Sequence, residues 1–263
     1  MIGDNVLRGE PFEGIDIFDI HAHIGRTADF MQLDTCAGDV VRTMDRLGAA
    51  CACVSSILSI HCDTPRGNRE VLDAVKRYPG RLYGYLTVSP HDNAADPSPY
   101  FAETGMLGMK VHAAFHRTRI EDERYAPFYE YADRHSLPVL FHAWEARDSA
   151  AIAALAKRYH NARFIIGHGA MREWNVKKEA IEAVRRYENV FADTTVSTAY
   201  DGAIEFAVKR IGAQRLCYGS DLPFYDCRHV LGKVATSLLS DGDKEKILGG
   251  NARRILFAAG QNS

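Results

Sequence analysis

An α/β fold, a single (β/α)8 or TIM barrel over residues 1–263, is what this sequence predicts. Three observations predict it: eight short apolar or β-branched runs, helical patterns between them, and chemically active side chains gathered at the carboxyl ends of the runs. The runs are IDIFDIHAHI (15–24), AACACVSSI (49–57), RLYGYLTVS (81–89), MLGMKVHAA (106–114), PVLFHAW (138–144), RFIIGHG (163–169), VFADTT (190–195) and RLCYGSDLPF (215–224). Between them ERYAPFYEYADRHS, DSAAIAALAKRYH and KKEAIEAVRRYE place apolar residues at helical spacing. Such alternation gives parallel strands joined by crossover helices, and eight strands about 28 residues apart fill a barrel of about 250 residues. A doubly wound open sheet is the alternative, but the first run lacks the G-x-G-x-x-G turn of a dinucleotide site.

In the first run, strict alternation sets His21 and His23 on one face with Ile17 and Asp19, and Phe18, Ile20, Ala22 and Ile24 on the other. Asp19 then lies below both histidines, either hydrogen-bonded to a ligand histidine or satisfied on the barrel floor. In the second run Cys51 and Cys53 share a face, where cysteine packs as a small hydrophobe. The third connection, PHDNAADPSPYFAETG, has three prolines and room for a short helical segment. The last stretch, SDGDKEKILGGNARRILFAAG, reads as a short helix, a glycine break, and a closing helix capped by Asn251.

Composition excludes several classes. Apolar residues at 46% and charged residues at 25% describe a globular chain with a sizeable core. A formal charge of -2 gives no field to draw in nucleic acid or an anionic membrane. No apolar run reaches the roughly 18 residues of a membrane span, and MIGDNVLRGEPFEG lacks a signal peptide's apolar core, so a cytoplasmic location is expected. The six cysteines show no C-x-x-C spacing and are expected as reduced thiols.

The carboxyl ends of the strands carry the chemistry. They supply His21 and His23, then Lys110 and His112, His142, His168 and Asp221, so that five of the eleven histidines sit at or near strand ends. An H-x-H alone is explained by hydrogen-bonded core histidines; this concentration is not. Neutral imidazoles with one carboxylate bind Zn²⁺, Mn²⁺ or Fe²⁺, leaving an open position for water. A bound dication brings the pKa of that water to about 7, and Asp221 suits the roles of ligand and proton acceptor. Among loop residues, Arg26, His61, Trp144 and Phe224 are candidates for substrate contact. His91, His116, His135, His160 and His229 are expected as solvated or capping residues.

DIHAHIG, GMKVHAAF, LPVLFHAW, FIIGHGA, YGSDLPF and GNARRILF, in that order over nearly the whole chain, resemble the amidohydrolase superfamily. The branch resembled is amidohydrolase-2, which includes metal-dependent hydrolases and decarboxylases of the aminocarboxymuconate-semialdehyde type. The resemblance implies a (β/α)8 barrel in which His21, His23, His142 and Asp221 ligate a divalent metal, one Zn²⁺ by first expectation. It places His168 close by as ligand, proton shuttle or polariser of the substrate. A related family of barrel nucleases also begins with H-x-H but carries a glutamate on strand four, where this chain has Lys110. A carboxylated Lys110 bridging two metals is one reading; a lysine steadying a substrate carboxylate is the preferred one.

The expected activity is metal-dependent hydrolysis of an amide, ester or lactone of a small molecule. Non-oxidative decarboxylation of an unsaturated or aromatic acid is the enzymatic alternative, favoured if Arg26 grips a carboxylate. A non-catalytic metal- or metabolite-binding barrel is the third reading. A homodimer is compatible with the fold, and no nucleic-acid or membrane partner is expected.

Overall fold

The computed structural model describes residues 2–8, 10, 12, 14–27, 35–91, 96–195 and 200–257. Its eight strands are β1 (Phe18–Ile24), β2 (Cys51–Ser56), β3 (Leu82–Thr87), β4 (Met106–Val111), β5 (Pro138–His142), β6 (Arg163–Gly167), β7 (Val190–Asp193) and β8 (Leu216–Cys217). They form one parallel sheet in sequence order. Among the described residues twelve α-helices accompany them: α1 (Ile2–Arg8), α2 (Ala37–Leu47), α3 (Ile57–His61), α4 (Thr64–Arg77), α5 (Ser98–Phe101), α6 (Ala126–Arg134), α7 (Ala146–Arg158), α8 (Trp174–Arg186), α9 (Ala203–Ile211), α10 (Cys227–Ala235), α11 (Asp241–Glu245) and α12 (Asn251–Phe257). This is the (β/α)8 barrel the alternation predicts. The proline-rich third connection holds the four-residue α5, and its residues 92–95 lie outside the described ones.

Each expected strand is present, but most end before the expected carboxyl boundary. The largest difference is β8, read as ten residues and found as two. Backbone conformation limits how far two of the strands could run: His168, directly after β6, and Asp221, four residues after β8, have φ of 67° and 62°, a left-handed geometry that a strand cannot contain. The polar residues thus turn out of the sheet onto its rim.

Strict alternation also fails in β1. The pairing with β2 shifts register between Asp19 and Ala22, so that three residues on β1 span two on β2. Such a bulge re-aims the side chains after it. Phe18 and Ile20 therefore join an inner cluster with Cys51, Cys53, Tyr85, Leu107, Leu140, Ile165, Phe191 and Cys217, drawn from all eight strands, while Ile17, Ala22 and Ile24 pack in the outer layer. His21 and His23 then follow Ile20 on the inner side. A second register shift, between β3 and β4, falls just before Met109 and Lys110. Cys51 and Cys53 are buried free thiols, as expected of small core hydrophobes.

The barrel closes between β8 and β1 through backbone bonds. Ile20 N donates to Tyr218 O at 2.9 Å, Asp221 N to His21 O at 2.8 Å, and His23 N to Leu222 O at 2.6 Å. Asp19 reinforces this seam by accepting from Ser220 N at 3.0 Å and from the Ser220 hydroxyl. Burial raises the Asp19 pKa to about 7 despite those bonds.

The last described helices pack beneath the barrel. The expected glycine break is instead a π-helical turn over Lys246–Gly250 that carries α11 into α12 without interruption. Gly249 is required there, because a Cβ would lie 2.0 Å from Asp16 O. Ala252, Ile255 and Leu256 of α12 complete the inner cluster. Asn251 serves less as a cap than as a clamp: its side-chain amide donates to Ala213 O and Leu216 O, each at 2.7 Å, and fixes the entry to β8. Among the described residues no helix is long and apolar enough to cross a membrane.

Asn251→Ala removes two buried hydrogen bonds and is expected to destabilise the fold by about 1–3 kcal/mol. Chemical denaturation measures this, and an unchanged midpoint rules the clamp out.

Candidate active site

His21 and His23 end a strand whose bulge turns both rings inward, and the seam bond from Asp221 N to His21 O holds the third group beside them. Ligand atoms of His21, His23 and Asp221 all lie within 4.8 Å of one another, and all three residues are buried. Asp221 Oδ1 is 3.0 Å from His23 Nε2 and 3.5 Å from His21 Nε2. Each imidazole is held on its other nitrogen. Asp193 Oδ2 accepts from His21 Nδ1 at 2.7 Å, and the Ser55 hydroxyl lies 2.9 Å from His23 Nδ1. A hydroxyl can donate or accept, so Ser55 suits either tautomer of His23, whereas the carboxylate of Asp193 fixes the His21 proton on Nδ1.

Lys110 is fully buried, with Nζ 2.8 Å from His21 Nε2. Loss of water lowers its pKa to about 8, opposed by Asp221 and then Asp193. Burial, followed by Lys110, pushes the pKa of His21, His23 and His142 well below the usual imidazole value, so these rings stay neutral at physiological pH. Two carboxylates, Asp193 and Asp221, thus face one amine. Neutral imidazole lone pairs with an excess of carboxylate are a donor set that suits a divalent ion. The amine donates to the same Nε2 lone pair that an ion would use. A dication and the Lys110 ammonium therefore compete for His21.

A cavity of about 250 Å³ opens above this group. His23, Asp221 and His168 form its polar side, and Ile57, Ile60, Phe115, Phe224 and Tyr225 are among its apolar walls. His61, His112, His142 and Trp144 also line it. His168 is buried with neither ring nitrogen hydrogen-bonded, its pKa lowered by burial and by His142, and its ring centroid lies 5.1 Å from that of His21. Its backbone N donates to Asp193 Oδ1 at 2.9 Å, so one aspartate positions both His21 and His168.

The expected site residues are not all alike in placement. His21, His23, Asp221, His142 and His168 meet at one rim, although the nitrogens of His142 fall outside the 4.8 Å group. Trp144 and His61 line the cavity as expected, and Phe224 tilts against His23 at 5.1 Å between centroids. Lys110 stands beneath His21 and does not line the cavity, which leaves no direct path from its amine to a substrate carboxylate. Arg26 is exposed and is likewise absent from the lining. His116, expected in solvent, is buried and bonded through Nδ1 to the Tyr125 hydroxyl at 2.8 Å, where it anchors the loop after β4. Sequence reasoning missed Asp193 and Ser55. Both follow from period-two extension of faces already visible: Cys51, Cys53, Ser55 in β2 and Phe191, Asp193 in β7.

Residues 18–258 match the family model described as Amidohydrolase, and the chain belongs to that amidohydrolase-2 family. No curated protein sequence matches it. Among solved structures, it resembles 2,6-dihydroxybenzoate decarboxylase from Rhizobium at 16% identity and a TM-score of 0.74, covering 95% of this chain and 100% of that one. It also resembles 5-carboxyvanillate decarboxylase from Novosphingobium aromaticivorans, solved with manganese and a nitrobenzoic acid, at 15% identity and TM-score 0.74, covering 94% and 97%. A probable 2-pyrone-4,6-dicarboxylic acid hydrolase from Acinetobacter baumannii aligns at 14% identity and TM-score 0.71, covering 92% and 100%. Likeness at these identities establishes the fold.

Asp193→Asn removes the acceptor that fixes His21 while keeping the side chain's size. It is expected to weaken Zn²⁺ or Mn²⁺ binding roughly 10–100-fold with the circular dichroism spectrum unchanged. Equilibrium dialysis of the metal decides the point, and wild-type affinity would count against the role given to Asp193.

Proposed function

We propose that the protein is a metal-dependent, non-oxidative decarboxylase of a planar unsaturated or aromatic carboxylic acid, with His21, His23, His142 and Asp221 as metal ligands. The lining of the cavity carries this reading: aromatic rings of Phe115, Trp144 and Phe224, the candidate ligands His23, His142 and Asp221 with His168, and no lysine or arginine among the described lining residues. A carboxylate entering such a space would find its countercharge in a divalent ion held beside His23 and Asp221, and not in a cationic side chain of the described lining. Arg26, exposed and outside the lining, does not contribute to this reading, which rests on the cavity alone. The decarboxylases among the structural relatives are in keeping with it.

A divalent ion, Mn²⁺ or Zn²⁺, would supply positive charge against an oxygen of the substrate or of water. The chain's own residues then handle position and protons. The flat walls hold the substrate's plane and exclude water. When the carbon–carboxylate bond breaks, CO2 leaves and the electron pair left behind takes a proton at the vacated carbon. His168, neutral and with both nitrogens unengaged, is placed to carry that proton, and Asp221 can relay it from solvent.

Hydrolysis of a lactone, ester or amide is the second reading. It draws on the carboxylate of Asp221 beside two neutral imidazoles, which suits proton removal from an attacking water, and on the pyrone hydrolase among the relatives.

Metal-replete protein given a panel of unsaturated and aromatic acids alongside lactones, esters and amides separates the two. Decarboxylation predicts CO2 in step with substrate loss and deuterium from heavy water at the vacated carbon. Acid release with oxygen from labelled water, and no CO2, moves the assignment to hydrolysis; metal binding without turnover of any compound leaves a binding protein. His168→Gln is expected to lower kcat roughly 10²–10⁴-fold while leaving metal content intact. Asp221→Asn is expected to lower both.

A further inference from the structure

The candidate ligands differ in what orients them. His21 has Asp193 at 2.7 Å and His23 has Ser55 at 2.9 Å. Among the described residues no side-chain hydrogen bond holds His142; aromatic planes flank it instead. The His112 ring lies nearly parallel to it, with centroids 3.9 Å apart and planes 15° apart. The Trp144 indole lies parallel within 7° at 5.6 Å, as two side chains that leave an extended backbone on the same side should.

Both flanking rings are themselves fixed. The Arg172 guanidinium carbon is 3.8 Å from the Trp144 ring centroid, and Trp144 N donates to Asp148 Oδ2 at 2.9 Å. His112 is buried at the start of the loop after β4, and Phe115 tilts against it at 4.6 Å.

We infer that Trp144 and His112 are positioning residues that clamp His142 between aromatic faces and so set the direction of its lone pair toward the metal. The inference rests on His142 being a metal ligand, as proposed above. It gives Trp144 a role apart from substrate contact. A stacked ring cannot flip or swing without losing face-to-face contact, so stacking does here what a carboxylate does for His21. Because no hydrogen bond among the described residues orients its ring, the contribution of His142 depends most on preset geometry.

The test is Zn²⁺ affinity by competition with a chromophoric chelator, together with the visible absorption of the Co²⁺-substituted protein, whose intensity reports coordination number. Trp144→Leu and His112→Leu are expected to weaken Zn²⁺ binding roughly 10–100-fold each and to change the Co²⁺ bands in the same direction as His142→Ala. Trp144→Phe and His112→Phe, which keep a flat face, are expected to restore affinity to within about threefold of wild type, which a generally structural role would not produce. If Trp144→Leu fails to fold, Trp144→Met fills the space without a ring and takes its place. Loss of Zn²⁺ in His142→Ala with wild-type affinity in both ring-deleted variants overturns the clamp alone. Wild-type affinity in His142→Ala overturns the ligand assignment and the clamp with it.

Discussion

Asp221 N donates to His21 O across the line where the last strand meets the first, and the candidate site lies on that bond. Two residues 200 positions apart in sequence become neighbours because the sheet has no edge there. Asp19 makes the join rigid from below by gripping Ser220 at both its amide and its hydroxyl. The left-handed backbone at Asp221 then turns its carboxylate toward His23 when an extended backbone would carry it past. A loosened join would separate the histidine pair from its carboxylate before it unfolded anything else.

Charge burial is the second constraint. Lys110, Asp193 and Asp221 lie within the barrel wall with almost no access to water, a placement that costs free energy unless the charges face one another. They do face one another: the amine lowers neighbouring imidazole pKa values while the two carboxylates support the amine. Lysine at this position therefore belongs to the electrostatic floor of the site. Its closeness to His21 Nε2 ties that floor directly to whatever cation the rim holds.

The fold was legible because its signals repeat. Eight apolar runs with helical spacing between them survive small errors in any one run, and the rim histidines fall where the barrel puts them. Three things were not legible, each for a local reason. The bulge in β1 inverts the face assignment of Phe18 and Ile20 without leaving a mark in an apolar sequence. The positive φ of His168 stops β6 and that of Asp221 bends the chain beyond β8, although neither residue is glycine. The depth of Lys110 depends on a register shift in β4, so sequence position alone suggested a substrate contact where the structure has a buried amine. Asp193 and Ser55 were legible in principle, since the inward parity of their strands reaches both.

The underside of the barrel bears on how the molecule comes to be made. The opening strand donates backbone hydrogen bonds to Tyr218 and Leu222 and accepts one from Asp221, and the carbonyl at its approach, Asp16 O, packs against Gly249 in the π-helical turn. A chain leaving the ribosome therefore carries its histidine pair without its carboxylate partner until the segment from residue 218 to residue 249 has followed it out.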